Sequence, residues 1–281
     1  MLAYRTCARA TRRHARNFYY GFLTLPRRQR RAVYALYAFC READDIADGI
    51  APSHAKLDGL ARLRARLDRA AEGAPRNATD LALSHALGTF HIRSDDLHDI
   101  LDGVTADLTN TRIPDEAALH RYCYQVASAV GLATLPVLSN GIPPSPAMRQ
   151  AAAHLGQGMQ RINILRDIRE DLGHDRIYLP VDELRRHGVS EEQLLRHELS
   201  EGLRAALTSQ ADLARMHLDH GRRLLTLLPH RSRGCVWLLA EIYERILHRL
   251  ADRQYDVFAD RISLSTPEKL RLMVSALRPR S

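Results

Sequence analysis

Apolar residues recur every three or four positions along most of the chain. One stripe runs from Leu57 through Leu60 and Leu63 to Leu67. This is the period of an amphipathic α-helix, and no alternating run of Val, Ile and Thr indicates a strand. About eight to ten helices are predicted, because proline and glycine interrupt the pattern at a few places. These breaks lie at Leu25-Pro26, 73–75, Ile113-Pro114, 143–146, 173–180 and Leu228-Pro229.

Acidic residues after a proline mark the start of one predicted helix. Asp115 and Glu116 follow Pro114 directly, which places acidic side chains at the positive end of a helix dipole. No linker between the predicted helices is long enough to separate two cores, and no long repeat is present. The pattern therefore predicts an all-α fold in a single domain over residues 1–281.

The composition of the 281 residues narrows the class of protein. With 45% hydrophobic and 26% charged residues, it excludes a disordered or collagen-like chain. No apolar run reaches the length of about 18 residues that would indicate a membrane span. The first 16 residues are basic but lack the apolar core of a signal peptide, so we expect a cytoplasmic protein. The scattered Cys7, Cys40, Cys123 and Cys235 are expected to be reduced thiols.

The charge balance favours an anionic partner. The chain carries 41 Lys and Arg against 33 Asp and Glu, a net charge of +8, and its lysines are Lys56 and Lys269 alone. Arginine could serve nucleic acid, phosphate-bearing ligands or an anionic membrane. Nucleic acid is disfavoured because aromatic residues are sparse and no recognition motif occurs. A peripheral contact with the inner face of the membrane is predicted for residues 12–13 and 26–31, next to Phe22 or Leu23, against the alternative of an evenly solvated arginine surface.

Two clusters of acidic residues carry the candidate chemistry. In the first, Asp44 and Asp48 lie four residues apart and therefore on one face of a predicted helix. Two carboxylates placed this way repel each other unless a cation or solvent separates them. Mg²⁺ shared with phosphate oxygens would explain the arrangement, because it prefers hard oxygen ligands. The alternative for this cluster alone is a solvated acidic turn at a helix end before Gly49.

The second cluster has the same spacing on another predicted helix. Asn163, Asp167 and Asp171 form a polar stripe about 12 Å long, given the helical rise of about 1.5 Å per residue. Arg166 and Glu170 are also four residues apart, so an ordinary salt-bridged surface is the alternative. Two such stripes with arginines nearby are better explained as a site for diphosphate and Mg²⁺, in which arginine binds phosphate and the carboxylates bind the metal.

Four motifs follow one another along the chain. They run from Tyr37 to Asp48, from Tyr122 to Gly131, from Asn163 to Asp171 together with Arg176 to Pro180, and from Tyr255 to Phe258. In this order they resemble the squalene/phytoene synthase family of head-to-head prenyl transferases, and in appearance they are most similar to bacterial hopanoid-pathway enzymes that make presqualene diphosphate. The resemblance implies the isoprenoid synthase fold, a helical bundle around a central apolar cavity. It also implies two or three Mg²⁺ ions and two prenyl diphosphate substrates.

The resemblance assigns roles to individual residues. Metal binding is implied for Asp44, Asp48, Asn163, Asp167 and Asp171, and the four aspartates together with Tyr122 are the implied catalytic set. Diphosphate binding, or closure of a flap (residues 173–180) over it, is implied for Asn17, Arg41, Arg166, Arg176 and Tyr178. The cavity wall is implied to contain Phe18, Val126, Ala127, Val130, Gly131, Gln160 and Tyr243.

A few positions depart from the family's usual pattern or match it less directly. Asn17 stands near a place where the family often has serines that contact diphosphate, and it can still donate a hydrogen bond. Arg161 stands where an apolar residue is usual, and we expect it to point to solvent; the alternative is a side chain that leans toward phosphate. Arg261 matches a further pocket position. The flap is expected to be mobile without ligand and to become ordered over diphosphate, against the alternative of a static surface loop in which Tyr178 only packs.

The reaction implied is head-to-head condensation of two prenyl diphosphates. Two farnesyl diphosphates are the substrates expected first, giving presqualene diphosphate and, if the reaction continues, squalene or a C30 relative; Tyr122 or the released diphosphate would take the proton that is lost. The alternatives are phytoene synthesis from geranylgeranyl diphosphate, prenyl transfer to an aromatic acceptor, and a non-catalytic assembly factor. The absence of a G-x-G-x-x-G fingerprint disfavours reduction by NADPH but leaves its use open.

Overall fold

Helices occupy most of the described chain, which is residues 2–109 and 111–277 of a computed structural model. The first seven are α1 (Leu2–His14), α2 (Arg16–Leu23), α3 (Arg27–Asp48), α4 (Ser53–Ala71), α5 (Ala78–Phe90), α6 (Ser94–Asp107) and α7 (Glu116–Cys123). A π-helical segment, Tyr124–Ser128, leads into α8 (Ala129–Leu138) and α9 (Pro146–Gly173). The others are α10 (Val181–Arg186), α11 (Glu191–Leu195), α12 (Glu201–Arg222), α13 (Leu224–Leu227), α14 (His230–Asp252) and α15 (Thr266–Ala276). Within these residues the extended pairing is limited to a parallel β-bridge between Arg112 and Ile177, so the all-α prediction is confirmed.

The predicted breaks all fall at helix ends or between helices. Pro26 directly precedes α3, and Pro146 is the first residue of α9. The predicted helix start is also confirmed, since the Asp115 side chain caps α7 by accepting a hydrogen bond of 2.7 Å from the backbone N–H of Ala118. The chain has more helices than predicted because turns without proline also divide it. His91, for example, ends α5 in the left-handed conformation, with a φ of 55°.

The long helix α9 lies at the centre of the bundle. It packs along α12 and also contacts α8, α14 and the π-helical segment. The backbones approach closely: a Cβ atom on Gly221 of α12 would lie 2.7 Å from the Leu155 Cα of α9. A Cβ atom on Gly156 would lie 2.6 Å from the Ser128 Cα of the π-helical segment. Because neither position leaves room for a side chain, glycine sets the distance from α9 to both neighbours.

The core is built from aliphatic side chains of nearly all the helices. Cys7, Cys123 and Cys235 are buried in it, and these cysteines and Cys40 are free thiols, as expected. Among the described residues, no helix combines the length and the apolar character that a membrane crossing needs.

The expectation that Arg161 points to solvent is wrong, because its side chain is only 2% exposed. The guanidinium donates to Gln210 Oε1 of α12 at 2.8 Å and pairs with the Glu116 carboxylate of α7. Gln210 in turn donates to Glu116 at 3.1 Å. These partners compensate the buried charge, and they tie α7, α9 and α12 together.

Candidate active site

A cavity of about 400 Å³ lies in the centre of the bundle. Its walls include α2, α3, α6, α8, α9, α14 and the π-helical segment. Most of the lining side chains are apolar, among them Leu36, Ile100 and Leu239. Such a wall suits a hydrocarbon ligand. The structure places on it every residue that the resemblance assigned to the cavity: Phe18, Val126, Ala127, Val130, Gly131, Gln160 and Tyr243.

Phe22 also lines this cavity, so the prediction that it contacts a membrane is wrong. Its side chain is 7% exposed and stacks on Phe18, with the ring centroids 6.1 Å apart. The two residues lie four positions apart on α2, and the helical period therefore turns both of them inward. Leu23, the other apolar residue named for that contact, is half-buried.

Polar side chains gather in one region of the cavity wall. Arg176 Nη1 lies 3.7 Å from Asp48 Oδ1. Asp48 belongs to the first acidic motif, whereas Arg176 lies in the flap that follows the second. Burial raises the pKa of both Asp44 and Asp171, and the nearby charge of Asp107 adds to each shift. The two motifs therefore converge. The polar and charged residues of the wall include Asp44, Asp48, Asp107, Tyr122, Gln160, Asn163 and Arg176.

The first motif lies at the C-terminal end of α3. Asp44 and Asp48 are one turn apart, and both border the cavity. Although the Asp44 carboxylate opens into the cavity, the enclosing protein raises its pKa to about 7; Arg41 opposes this shift and Asp48 adds to it. The Arg41 guanidinium forms its ion pair with Asp45, at 2.5 Å, and Arg41 is not part of the cavity wall.

Asn163 is the residue of the second motif that reaches the cavity wall. Its Nδ2 donates to Gln160 Oε1 at 3.2 Å, whereas its Oδ1 is buried without a hydrogen-bond partner. Two turns later, burial raises the pKa of Asp171 to about 7, and the charges of Asp167 and Glu170 add to the shift.

These features fit a divalent cation. A buried amide oxygen without a donor and carboxyl groups whose pKa lies near neutral pH are hard oxygen ligands, and the nearby Arg41 and Arg176 compensate their charge only in part. As placed, however, no three Asp, Glu, His or Cys side chains among residues 2–109 and 111–277 converge to hold a metal ion. The donors are of the right kind, and an ion would have to draw them together.

Asp167 does not reach the cavity wall. It borders a separate surface depression, where its carboxylate accepts hydrogen bonds from Arg166 Nε at 2.8 Å and from Arg261 Nε and Nη2 at 2.8 and 3.0 Å. Burial alone would raise its pKa, but these hydrogen bonds outweigh burial and lower it. The metal role of Asp167 stays a prediction.

Among the residues expected to bind diphosphate, Arg176 lines the cavity. Tyr178, two residues later in the flap, has a buried side chain, and its hydroxyl donates to Asp107 Oδ1 at 2.9 Å. Arg166 is held by Asp167, and Asn17 is half-buried on α2 outside the cavity wall. Their contacts with diphosphate stay predictions.

Asp107 is the residue of this region that sequence reasoning missed. It is the last residue of α6, and it accepts hydrogen bonds from Tyr178 and, at 3.3 Å, from Tyr122. Burial raises its pKa, while Arg176 and the two hydroxyl groups oppose that shift. One signal could have found it: a negative charge at the C-terminal end of a helix opposes the helix dipole, so an Asp there needs another explanation.

Sequence comparisons identify the family of this chain. The family model described as squalene/phytoene synthase matches residues 11–268. The 15-cis-phytoene synthase of Synechococcus elongatus is 34% identical over 290 residues, and the match covers 98% of this chain and 93% of that protein. The chloroplastic phytoene synthase of Daucus carota is also 34% identical, and the match covers 95% of this chain and 68% of that protein.

Solved structures of related proteins have the same fold. A dehydrosqualene synthase in complex with a ligand has a TM-score of 0.88 at 30% identity, covering 98% of this chain and 95% of that one. Squalene synthase HpnC from Alicyclobacillus acidocaldarius has a TM-score of 0.85 at 26% identity, covering 90% of this chain and 94% of that one. These names differ in product, so they establish the family and the type of reaction and not the hopanoid-pathway subgroup. The chain belongs to the squalene/phytoene synthase family and is a prenyl transferase of the head-to-head type.

Proposed function

We propose that this protein condenses two farnesyl diphosphates head to head to presqualene diphosphate, with Mg²⁺ as its cofactor. The observation that supports the proposal is an apolar cavity that ends in a group of carboxylates, an unpartnered amide oxygen and Arg176. An allylic diphosphate has the same two parts, namely a hydrocarbon tail and an anionic head that binds hard cations and arginine.

The ions would be held by Asp44 and Asp48 of α3 and by Asn163, Asp167 and Asp171 of α9. When bound, Mg²⁺ neutralises the negative charge that grows on a diphosphate leaving group. Arg176, beside Asp48, adds positive charge at the same end of the cavity. The Nε of Arg41 is buried without a hydrogen-bond partner outside the cavity wall, so Arg41 would have to leave Asp45 and turn toward the cavity to bind phosphate.

The apolar part of the cavity protects the allylic cation, which water would otherwise quench. The rings of Phe18 and Tyr243 lie on this wall, with their centroids 6.4 Å apart. Aromatic faces stabilise a nearby cation without reacting with it. The C2=C3 double bond of the second prenyl diphosphate then attacks the cation, and loss of a proton closes the cyclopropane.

Tyr122 orients the reacting groups in this proposal and does not act as the base. Burial, followed by the charge of Asp107, raises its pKa well above the usual value for tyrosine. A phenol of this kind stays protonated at neutral pH and accepts a proton poorly. We therefore assign the proton to the released diphosphate.

Geranylgeranyl diphosphate is the second candidate substrate. It is favoured by the sequence relatives, which are named phytoene synthases, whereas the similar structures are named after dehydrosqualene and squalene. Phytoene is a C40 hydrocarbon and squalene a C30 hydrocarbon, so the two sets of names support different chain lengths.

Incubation of the purified protein with each prenyl diphosphate, with and without NADPH, tests the proposal by product mass. Farnesyl diphosphate should give a C30 cyclopropyl diphosphate that contains two labels from labelled substrate. A C30 hydrocarbon that forms only with NADPH would extend the reaction to reduction. Exclusive use of geranylgeranyl diphosphate would make that compound the substrate in place of farnesyl diphosphate. If neither prenyl diphosphate gave a doubly labelled product, the proposed condensation would be overturned.

We also propose that the protein binds an anionic membrane surface, because a C30 or C40 product is nearly insoluble in water. Leu270, Val274 and Leu277 are 43%, 55% and 61% exposed, and their spacing places them on one face of α15 and the residue after it. Lys269 and Arg271 are their neighbours in the sequence. An apolar face with basic neighbours suits an anionic leaflet, and it replaces Phe22 as the proposed contact.

A further inference from the structure

Asp107, Tyr122 and Tyr178 form one hydrogen-bonded unit at the edge of the cavity. Tyr178 Oη donates to the two carboxylate oxygens of Asp107 at 2.9 and 3.0 Å, and Tyr122 Oη donates to Oδ2 at 3.3 Å. The two tyrosine rings stack, with centroids 4.9 Å apart and 18° between their planes. One carboxylate at the end of α6 therefore joins α7 to the flap.

The flap rests on the chain that follows α6. The backbone N–H of Ile177 donates to Thr111 O at 2.9 Å, and that of Ile113 donates to Ile177 O at 3.3 Å. Arg112 also donates to Asp175 Oδ1 at 2.7 Å. The flap thus packs against Asp107 and residues 111–113.

The flap also touches the first acidic motif. Arg176, two residues before Tyr178, lies beside Asp48 on the cavity wall. Side chains of alternate residues of the flap therefore reach a metal motif and Asp107. Tyr178 is 8% exposed, so packing as well as hydrogen bonding fixes its place.

Asp107 occupies a position that is unfavourable for a negative charge. The C-terminal end of α6 repels it through the helix dipole. The carboxylate is also enclosed, near the charges of Asp44, Asp48 and Asp171. A neutral residue would suit the helix better, so the partners that account for this carboxylate are the charge of Arg176 and the hydrogen bonds from the two tyrosine hydroxyls.

We propose that Asp107 is a positioning residue that couples closure of the flap to the alignment of Tyr122. With the flap closed, Tyr178 fixes the carboxylate, and the fixed carboxylate and the stacked ring orient Tyr122 toward the cavity. With the flap open, Tyr122 loses both constraints. Condensation is then favoured only in a covered cavity, where the allylic cation is protected from water. This inference rests on the proposed function.

Two substitutions separate this role from simple packing. Asp107→Asn keeps the size of the side chain but removes its charge and one of its acceptor oxygens. Tyr178→Phe keeps the stacked ring and removes a hydroxyl, so it tests the same unit if the Asn variant does not fold. Asp99→Asn is the matched control, because Asp99 is a half-buried carboxyl on the same helix.

Hydrogen exchange of the unliganded protein tests whether Asp107 and Tyr178 hold the flap, and it needs no enzymatic reaction. Both Asp107→Asn and Tyr178→Phe should speed the exchange of flap residues 175–178 roughly tenfold, as expected when a charge-assisted hydrogen bond is lost. Exchange in α9 and α12 should stay unchanged, and Asp99→Asn should behave as the wild type does. Wild-type flap exchange in both variants would overturn the proposal.

Steady-state kinetics tests the coupling. Each variant should lower kcat roughly tenfold or more with a smaller change in KM, and the double variant should be no slower than the slower single variant, because both break one unit. Multiplicative losses in kcat would overturn the coupling. If the wild type forms no product from any prenyl diphosphate, the proposed function fails by itself, whereas the exchange measurement still decides whether Asp107 holds the flap.

Discussion

Arg261 binds the carboxylate of Asp167 through two hydrogen bonds, 2.8 Å from Nε and 3.0 Å from Nη2, across 94 residues of sequence. Arg166 binds the same carboxylate from within α9. A metal ligand predicted from the sequence is therefore already neutralised by two guanidinium groups. It must exchange partners before it can bind an ion, and the released arginines could then bind phosphate oxygens.

Arg261→Gln should lower the Mg²⁺ concentration that gives half-maximal turnover, because it removes one competitor for Asp167. Arg261 is 42% exposed, so we expect an effect of only about two- to fivefold. A Mg²⁺ titration at saturating prenyl diphosphate measures it. Arg245→Gln, which breaks an exposed pair with Glu241, is the control. An unchanged or higher Mg²⁺ requirement would show that Arg261 does not compete with the ion.

Asp44→Asn should lower turnover at least about 100-fold, because it removes a carboxylate that is proposed to bind the metal. The same variant should be more stable than the wild type above pH 7. The folded pKa of Asp44 is about 7, higher than the unfolded value of about 3.9, so the stability that Asp44 contributes is present below about pH 4 and is lost as the pH rises to 7. The neutral Asn side chain avoids that loss.

Thermal unfolding of metal-free protein between pH 4 and 8 checks the sign of the stability effect. The gain in melting temperature from Asp44→Asn should grow with pH, and Asp171→Asn should behave in the same way. The exposed Asp58→Asn on α4 should change neither melting temperature nor turnover. Wild-type turnover in Asp44→Asn would remove the metal role of Asp44.

His217→Gln should make the protein less sensitive to acid. The Nδ1 atoms of His154 and His217 lie 2.9 Å apart, and the rings of His120 and His220 lie close to this pair. Burial, and then the charge of Arg161, lower the pKa of His217 to about 4. Since the unfolded value is about 6.5, the folded state loses stability as the pH falls from 6.5 toward 4.

Melting temperatures at pH 7 and pH 5 test this prediction. The difference between the two should be smaller in His217→Gln than in the wild type, while the exposed His54→Gln should leave it unchanged. An equal difference in all three proteins would exclude His217 as the source of acid sensitivity.

Leu270→Glu combined with Val274→Glu should weaken binding to anionic vesicles, because it places charge on the exposed face of α15. Co-sedimentation at low and high salt measures the effect, and wild-type binding should fall with added salt. Leu81→Glu with Leu195→Glu is the control, since these residues are 54% and 53% exposed on other helices. Equal losses in the two double variants would assign binding to overall charge and not to α15.

Local spacing was sufficient to predict much of this molecule. Proline and glycine marked the main helix breaks, and the four-residue interval placed Asp44 and Asp48 on one face of α3. Both properties depend on neighbours in the sequence, whose relative position a helix fixes. The cavity-lining residues were found through motifs, because the period alone does not tell a core face from a cavity face.

The contacts that were missed depend on how distant helices pack. The hydroxyl of Tyr178 meets Asp107 across 71 residues, and Arg261 meets Asp167 across 94. No residue near Arg161 in the sequence indicates its buried acidic partner, so the sequence predicts a solvent-exposed side chain. The surface position predicted for Phe22 is wrong because the face of α2 that meets the cavity depends on α3 and α14.

The buried contacts of Arg161 fix the rotation of α9 about its own axis. Arg161 and Asn163 are two residues apart, so their side chains leave the helix about 200° apart. Glu116 and Gln210 hold Arg161 on one side, and the opposite side is thereby turned toward the cavity with Asn163. An apolar residue at position 161 would leave this angle to packing alone. The buried ion pair on the side of α9 away from the cavity thus determines which residues of this helix face the cavity.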